Sequence, residues 1–306
     1  MSADVTVAVV SWNSRDVLER CLRSLEPEVE SGAADVWVVD NGSSDDSPAL
    51  VRERFGWATL IEPGENLGYG RAVNLVAERT DTPWIAPSNA DVELEAGALG
   101  RLLATARETG AGAVAPRLIL PDGSTQHSVY GFANYPALLA FNTGLHRVVP
   151  RLGDRLLVEG CWDPDRRREV PWALGAFLLV RREAFDAAGG FDPSQWMYAE
   201  DVDLGWRLGR AGWRTVYEPH ARVRHASGAS ARQAFGEEPY ERWMAATYDW
   251  IERRRGRRRR IATAAVNLAG ALVRRDRAWA RVHRRALSGG RGGRRAEPSS
   301  PRAPEA

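Results

Sequence analysis

Continuous apolar runs alternate with amphipathic stretches along the first 120 residues of the chain. The runs are typical of strands buried on both faces, whereas the stretches repeat apolar residues every three or four positions, as helices do. The alternation predicts an α/β fold with a doubly wound, mainly parallel but mixed sheet and helices on both faces. The predicted strands are VTVAVV (5–10), VWVVD (36–40), ATLIE (58–62), TPWIAPSNAD (82–91) and GAVAPRLIL (112–120), and the helices include DVLERCLRSL (16–25), PALVRERF (48–55) and RAVNLVAERT (71–80).

The pattern is less regular over the next hundred residues. Residues 121–170 are rich in turn formers, and we expect mobile loops with an excursion at the sheet edge. A strand that leads into a helix is expected in PWALGAFLLVRREAF (171–185), a short helix ended by Gly212 in EDVDLGWRLGRAG (200–212), and two last strands in WRTVYEP (213–219) and ARVRH (221–225).

The composition changes near residue 253, where arginine clusters alternate with the apolar run IATAAVNLAGALV (261–273). This run is too short to span a bilayer. We predict a basic helical segment over 236–287 and a disordered tail over 288–306, and we expect removal of residues from 253 onward to leave the core folded. Three interpretations stay open for this segment: a helix on an anionic membrane surface, a helix packed on protein beside a solvated basic tail, or a nucleic-acid arm.

The overall composition is that of an ordinary soluble protein. Of the 306 residues 44% are hydrophobic and 27% charged, and the formal net charge of +2 argues against nucleic acid as the partner of the whole protein. All 42 basic residues are arginine, and Cys21 and Cys161 are too far apart for a CxxC motif, which favours reduced thiols. The N-terminus lacks the pattern of a signal peptide and no run could cross a membrane, so a cytoplasmic location is expected.

Polar residues follow three of the predicted strands at the point where each strand ends. They are Ser11-Trp12-Asn13, Asp40-Asn41-Gly42 and Asn89-Ala90-Asp91. Ligands of open parallel sheets bind beyond the carboxyl ends of the strands, so these residues predict a site. Carboxylates there favour sugar hydroxyls, base edges or a metal, and no glycine-rich dinucleotide or P-loop motif is present.

A second cluster of acids, Glu200, Asp201 and Asp203, follows the apolar residues of WMYA (196–199). Acids are seldom placed among large apolar side chains unless they are paired or functional. A structural explanation also exists, because acids at a helix start favour the helix dipole and Asp203 precedes Arg207 by four residues. That explanation accounts for Asp203 but not for the apolar approach to Asp201.

Five motifs of the chain resemble those of family 2 glycosyltransferases and occur in the same order. They are VSWNSRDVLERCLRSL, VVDNGSSDDS, NLGYGRAVN, SNADVEL and GGFDPSQWMYAEDVDLGWRLGRAGW. The resemblance covers about residues 5–230 and is strongest to the rhamnosyltransferase-like branch, where PRLILPDGSTQHS also fits. It implies a GT-A fold, a nucleotide-diphosphate sugar donor, a divalent metal (Mg2+ or Mn2+) and inversion of the anomeric centre.

The resemblance implies donor-binding roles for eight residues. Asp40 would bind the base or ribose, with a turn-forming role in DNGS as the alternative. Arg71 would neutralise a phosphate, with an exposed helix arginine as the alternative. The full set is Ser11, Trp12, Asn13, Asp40, Asn66, Gly68, Arg71 and Asn89.

The resemblance also implies a metal site and a catalytic acid. Asp91 occupies the last position of the family's DxD motif and would bind the metal, while Asn89 replaces the first acid and would lie near the sugar. His225 would supply a second metal or phosphate contact, with a structural role as the alternative. Asp201, paired with Glu200, would be the general base and would face the metal-held diphosphate across a small gap. Trp196, Met197 and Tyr198 would line the acceptor site.

The resulting hypothesis is an inverting glycosyltransferase that moves rhamnose or another deoxyhexose from a dTDP- or UDP-type donor. The acceptor would be a glycan or polyprenyl-linked saccharide of a cell-envelope polysaccharide, met in the cytoplasm or at the inner face of the plasma membrane. A nucleotidyltransferase acting on sugar phosphates and a non-catalytic nucleotide-sugar-binding protein are the alternatives. The catalytic domain would span 1–235, with a nucleotide-sugar half over about 1–120 and an acceptor half over about 121–235.

Overall fold

The computed structural model describes residues 3–132, 134–195, 197–226 and 239–288. The strands are β1 (Val5–Ser11), β2 (Ala34–Asp40), β3 (Thr59–Ile61), β4 (Trp84–Asn89), β5 (Val92–Leu94), β6 (Ala113–Ile119), β7 (Val129–Tyr130), β8 (Arg168–Val170), β9 (Trp172–Ala173), β10 (Leu179–Arg181) and β11 (Thr215–His225). The helices are α1 (Arg15–Glu30), α2 (Ser47–Arg54), α3 (Tyr69–Ala77), α4 (Ala98–Thr109), α5 (Tyr135–Thr143), α6 (Leu145–Val148), α7 (Pro150–Arg155), α8 (Arg182–Ala188), α9 (Glu200–Arg210), α10 (Pro239–Arg255), α11 (Arg257–Val273) and α12 (Arg277–Ser288).

The central sheet is mixed, as the alternation of apolar runs predicts. Its strand order is β3-β2-β1-β4-β10-β6-β11-β5, with β8 also paired to β11. Strands β3, β2, β1 and β4 are mutually parallel, and β6 is parallel to β11. Strand β10 runs antiparallel between β4 and β6, so both predicted halves of the chain contribute to one sheet.

Helices cover both faces of the sheet, which confirms the doubly wound arrangement. Buried residues of α1, α2 and α4 pack on one face, and those of α3, α8 and α9 pack on the other. The core residues of β1 and β2 come from the continuous apolar runs, since a central parallel strand has two faces to bury.

The two last strands predicted from the sequence form one strand, β11, and that prediction is wrong. Its pairing with β6 shifts register between Glu218 and Arg222. Pro219 has no N–H to donate to the ladder, which explains why the pattern breaks there. The buried Glu218 carboxylate accepts the backbone N–H of His220 at 2.9 Å, so the chain passes the irregularity and continues as a strand.

Two helical regions were not predicted. Helix α4 fills the connection between β5 and β6, and the short helices α5, α6 and α7 occupy part of the region expected to be loops. Helix α5 begins after Asn134, whose side chain caps the N–H of Ala137 at 2.9 Å. This helix packs against α11, so a distant segment stabilises a stretch that looks irregular locally.

The basic C-terminal segment forms helices α10, α11 and α12, as predicted, and these pack on the protein. Trp250 of α10 is 1% exposed and joins a cluster with Val202 of α9. The boundary expected near residue 253 falls inside α10, and Arg254 forms an ion pair with the fully buried Asp203. Residues from 253 onward thus contact the core through Arg254, and folding of the core without them stays a prediction. Residues 236–238 and 289–306, parts of the predicted helical segment and disordered tail, lie outside the described residues.

No helix in the described ranges is both long and apolar enough to cross a membrane. Cys21 and Cys161 are free thiols.

Candidate active site

The ends of three neighbouring strands bring the first set of predicted residues together. In the parallel register, Ser11 of β1 lies opposite Asp40 of β2, and Val10 lies opposite Asn89 of β4. Ser11 and Asp40 are buried, and Asn89 is half-buried. These polar groups therefore share one edge of the sheet, as the strand-end pattern predicts.

Hydrogen bonds tie the loop after β1 to the loop after β2. Asn13 adopts φ of 48°, and its Oδ1 accepts the N–H of Ser44 at 2.7 Å while its own N–H donates to Ser43 Oγ at 2.9 Å. Asp40 accepts the N–H of Ser43 at 2.9 Å, so its carboxylate forms the turn that was the alternative to nucleotide binding. Burial raises the pKa of Asp40, and the Ser43 hydrogen bonds oppose that rise. Trp12 is half-buried beside Asn13.

The loop before α3 approaches this edge closely. Gly42 has φ of +76°, a conformation that favours glycine, and a Cβ placed there would lie in van der Waals contact, 3.5 Å, with the backbone of Glu65. Asn66 Oδ1 accepts the N–H of Gly68 at 2.9 Å, and α3 begins immediately after. Arg71 lies exposed on the first turn of α3. The three predicted donor residues of this loop thus flank the same edge.

Asp91 and His225 lie side by side where β5 pairs with the end of β11. The Asp91 Oδ1 and His225 Nε2 atoms are 3.3 Å apart, and both side chains are almost fully buried. His225 Nδ1 donates to Gln126 Oε1 at 2.7 Å, so Nε2 carries a lone pair in the neutral ring. Asn89 places its Nδ2 3.4 Å from the same Nε2.

This pair fits a hard divalent cation. A lone-pair nitrogen and a carboxylate oxygen that converge at 3.3 Å repel each other unless a proton or cation lies between them. Metal-binding histidines usually donate their other ring N–H to an acceptor that orients the ring, as His225 does to Gln126. The described residues contain no group of three or more His, Cys, Asp or Glu side chains arranged for a metal. A cation held here would complete its shell with substrate oxygens and water, as Mg2+ and Mn2+ sites commonly do.

Glu200 and Asp201 form the first turn of α9, which packs on the same face of the sheet as α3 and α8. The two residues before the helix, Tyr198 and Ala199, have φ of 59° and 74°, a left-handed conformation that is uncommon without glycine. Asp201 Oδ1 accepts the N–H of Val202 at 2.7 Å, and Glu200 Oε2 is buried with no hydrogen-bond partner in the described part of the chain. Consecutive left-handed residues of this kind are concentrated at functional sites.

Burial raises the pKa values of both acids. Glu200 is affected more, because the neighbouring charge of Asp201 adds to the cost of ionising it. For Asp201 the backbone N–H groups of Val202 and Gly175 oppose the effect of burial. The arrangement favours a proton on Glu200 and an ionised Asp201 near neutral pH.

Tyr69 contacts the segment that links Asp201 to the strand edge. Its hydroxyl donates to the carbonyl of Gly175, whose N–H is 3.4 Å from Asp201 Oδ2. Burial and then the charges of Glu200, Asp201 and Asp91 raise the pKa of Tyr69 well above its ordinary value. Ala176, which follows Gly175, accepts the N–H of Asn89 at 2.9 Å, so this segment connects the start of α9 to the end of β4.

Aromatic residues pack beside the start of α9, where Trp172 and Tyr130 cluster with Ala199 and Val202. Met197 and Tyr198 are half-buried, and the Tyr198 hydroxyl is buried with no hydrogen-bond partner among the described residues. Trp196, the third predicted wall residue, lies outside the described residues. Tyr130 stacks on Trp172 with ring centres 4.5 Å apart, and burial, followed by the charges of Glu159 and Asp201, raises the pKa of Tyr130.

Sequence reasoning missed the residues that hold this site together. Asn74 exchanges two hydrogen bonds of 2.8 Å with the backbone of Phe191, which fixes the loop before α9 to α3. Asp203 makes the predicted ion pair with Arg207 but also accepts from Trp250 and Arg254 of α10. Asn74 and Phe191 are far apart in the sequence, as are Asp203 and its partners in α10. A local sequence pattern therefore gives no signal that these residues contact each other.

The chain is similar in sequence to known protein families and to a curated protein. Residues 6–148 match the sequence family described as glycosyl transferase family 2, and residues 165–288 match the one described as glycosyl transferase family group 2. The chain is 37% identical over 241 residues to N-acetylglucosaminyl-diphospho-decaprenol L-rhamnosyltransferase of Mycobacterium tuberculosis, a stretch that covers 74% of this chain and 76% of that protein.

Two solved structures share the fold. A mannosyltransferase from Pyrobaculum calidifontis in complex with GDP-Man and Mn2+ superposes with a TM-score of 0.55 at 16% identity, over 94% of this chain and 86% of that one. GalNAc-T7 with UDP, GalNAc and Mn2+ superposes with a TM-score of 0.55 at 13% identity, over 80% of this chain and 50% of that one.

Proposed function

The chain belongs to glycosyl transferase family 2, and on that premise we propose that it is an inverting enzyme that transfers rhamnose, or a related deoxyhexose, to a lipid-linked saccharide. The observation that supports this proposal is the contact of Asp201 with Gly175, whose neighbour Ala176 binds Asn89 at the strand edge that also holds the Asp91–His225 pair. The similarity to a rhamnosyltransferase with a decaprenol-linked acceptor supports the choice of substrates.

Asp201 is the general base of the proposed reaction. Inversion requires the acceptor hydroxyl to lose a proton while its oxygen attacks the anomeric carbon from the face opposite the leaving group. The Asp201 carboxylate is held by the N–H groups of Val202 and Gly175, which orient it and favour its ionised form. A protonated Glu200 beside it limits the negative charge that the pocket must hold.

The strand edge binds the donor. Asp40 accepts hydrogen bonds from the base or ribose with lone pairs that Ser43 leaves free, and Arg71 on the exposed turn of α3 meets a phosphate. Asp91 and His225 would hold Mg2+ or Mn2+, which offsets the charge of the departing nucleoside diphosphate when bound. Ser11, Trp12, Asn13, Asn66, Gly68 and Asn89 complete the proposed donor site.

The acceptor approaches the α9 side of this edge. Tyr198 and Trp196 are the proposed contacts for its sugar, since aromatic faces pack on sugar rings and exclude water. We place the reaction at the inner face of the plasma membrane, where a polyprenyl-linked acceptor of cell-envelope polysaccharide synthesis presents its head group.

Asp201→Asn tests the proposal with purified protein, dTDP-rhamnose or a UDP-sugar, Mn2+ and a lipid-linked N-acetylglucosamine acceptor. Release of nucleoside diphosphate should fall about 10²- to 10⁴-fold, the usual contribution of a general base. Donor-induced thermal stabilisation should persist, because binding to the folded state does not need the base. Asp186→Asn makes the same chemical change at an exposed site on α8 and should retain activity.

Three results would contradict the proposal. Full activity of Asp201→Asn removes that acid from the mechanism. Release of pyrophosphate in place of nucleoside diphosphate indicates a nucleotidyltransferase. Donor binding without turnover across a panel of acceptors indicates a non-catalytic sugar-nucleotide-binding protein.

A further inference from the structure

The described part of the chain exposes eight large apolar side chains, and all of them lie in or beside α5, α6 and the end of α11. Val148 and Val273 are 80% and 81% exposed, although valine is normally buried. The eight residues lie in α5, in α6 and just after it, and at the end of α11. We name them the α5–α11 patch: Tyr135, Leu139, Phe141, Leu145, Val148, Val149, Leu272 and Val273.

The helices that carry the patch are packed together, α5 against both α11 and α6. Asn142 donates to Asn267 Oδ1 at 2.9 Å, and Arg274 Nη1 lies 3.3 Å from Asn142 Oδ1. The Arg274 guanidinium also lies over the rings of Phe141 and Trp279, at 5.5 and 5.6 Å from their centroids. Residues far apart in the sequence are thereby fixed next to each other.

The segments that carry the patch are strongly basic. No acidic residue occurs between 123 and 153, where Arg147 and Arg151 are exposed. Thirteen arginines and one acid, Asp276, occur between 253 and 288. The Asp276 carboxylate accepts the N–H of Trp279 and caps α12. Exposed aliphatic groups are therefore bordered by cations.

We propose that the α5–α11 patch docks on the surface of an anionic lipid bilayer. Its apolar side chains would enter the region between head groups and acyl chains, while arginines such as Arg147 and Arg274 reach the lipid phosphates. This assignment differs from the interpretation of the C-terminal segment alone, because six of the eight patch residues lie in α5, in α6 or just after α6. It does not depend on the proposed transfer reaction.

Charge complementarity selects the bilayer over the other occupants. In a two-fold dimer through this patch the same surface meets itself, so arginines would face arginines. A nucleic acid would neutralise the arginines but leave the valines and leucines in water. An anionic bilayer satisfies both groups at once.

Vesicle flotation without donor or acceptor tests the proposal. The full chain should float with vesicles of phosphatidylcholine plus phosphatidylglycerol, and much less with phosphatidylcholine alone. In the double variant Val148→Asp/Val273→Asp, the partition coefficient should fall about tenfold for each valine removed from the apolar layer. The control Thr59→Asp/Ala104→Asp adds the same two charges at exposed positions on β3 and α4 and should lose much less.

A second pair of changes tests the electrostatic part. Arg147→Gln/Arg151→Gln should weaken binding about fivefold per arginine at low salt, and the difference should shrink as salt is added. Equal flotation of the valine variant and its control would overturn the proposal, as would failure of the unaltered chain to bind anionic vesicles. A dimer in light scattering that the valine variant dissociates would assign the patch to a second copy of the chain. Transfer to a water-soluble acceptor should be unchanged in the valine variant, so loss of docking is distinguishable from loss of catalysis.

Discussion

The ion pair between α10 and α9 gives the most quantitative prediction. Asp203 on α9 is fully buried, and Arg254 of α10 donates to its two oxygens at 2.6 and 3.1 Å. The same guanidinium donates to Asp192 at 2.7 Å. Arg254→Met keeps the apolar stem of the side chain and removes the charge, so Asp203 is left with Arg207 and Trp250 as partners.

The expected cost follows from that geometry. Breaking a buried pair by removing one partner costs about 3–5 kcal/mol. Arg207 still compensates the Asp203 charge, and Arg254 is 27% exposed and so less desolvated than its partner. We therefore expect Arg254→Met to lower the free energy of unfolding by about 2–3 kcal/mol.

Urea unfolding followed by tryptophan fluorescence measures this change. Arg253→Met is the matched control, because Arg253 is exposed and donates to Ser194 Oγ at the surface; it should stay within about 0.5 kcal/mol of the unaltered chain. In an Asp203→Asn background, Arg254→Met should cost at least about 1 kcal/mol less, because the buried charge is gone. Equal stability of the Arg254 and Arg253 variants would refute the reasoning.

Three further predictions concern the site. Burial and the charge of Asp201 raise the pKa of Glu200, so the folded state loses stability as pH rises from the ordinary glutamate pKa to that raised value. Glu200→Gln should therefore be more stable than the unaltered chain above the ordinary glutamate pKa but not below it. A stability difference in urea unfolding that does not change with pH would contradict this prediction. Gln126→Ala should weaken Mn2+ binding about 10- to 100-fold in calorimetry, because His225 loses the acceptor that orients it. Gln126→Glu keeps an acceptor and should retain the affinity for Mn2+. Equal Mn2+ affinities of Gln126→Ala and the unaltered chain would remove Gln126 from the site. Asn74→Ala should lower turnover and make the loop before α9 more sensitive to proteolysis, since both hydrogen bonds that fix that loop to α3 are lost; unchanged cleavage would show that other contacts hold it.

The sequence predicted most reliably what depends on strand register. Ser11, Asp40 and Asn89 follow apolar runs, and parallel pairing then places them on one edge without further information. The continuity of β11 was not predictable, because Pro219 is a local breaker whose effect a register shift accommodates only in the assembled sheet.

The supporting contacts were beyond a local reading of the sequence. Gln126 and His225 are 99 positions apart, and Tyr69 meets Gly175 across 106 positions. Neither partner has a periodicity or spacing that points to the other. The buried role of Asp203 was also underestimated, since the helical pairing with Arg207 explains the sequence pattern but not the contact with α10.

The position of β10 in the sheet has a consequence for synthesis of the chain. Because β10 separates β4 from β6, the first 120 residues cannot close their sheet until Leu179–Arg181 have left the ribosome. In the meantime β4 presents an open, apolar edge that invites pairing with other nascent chains. Productive folding of this enzyme thus waits for a three-residue strand that is encoded late, and the interval before it emerges is when the growing polypeptide most needs protection by chaperones.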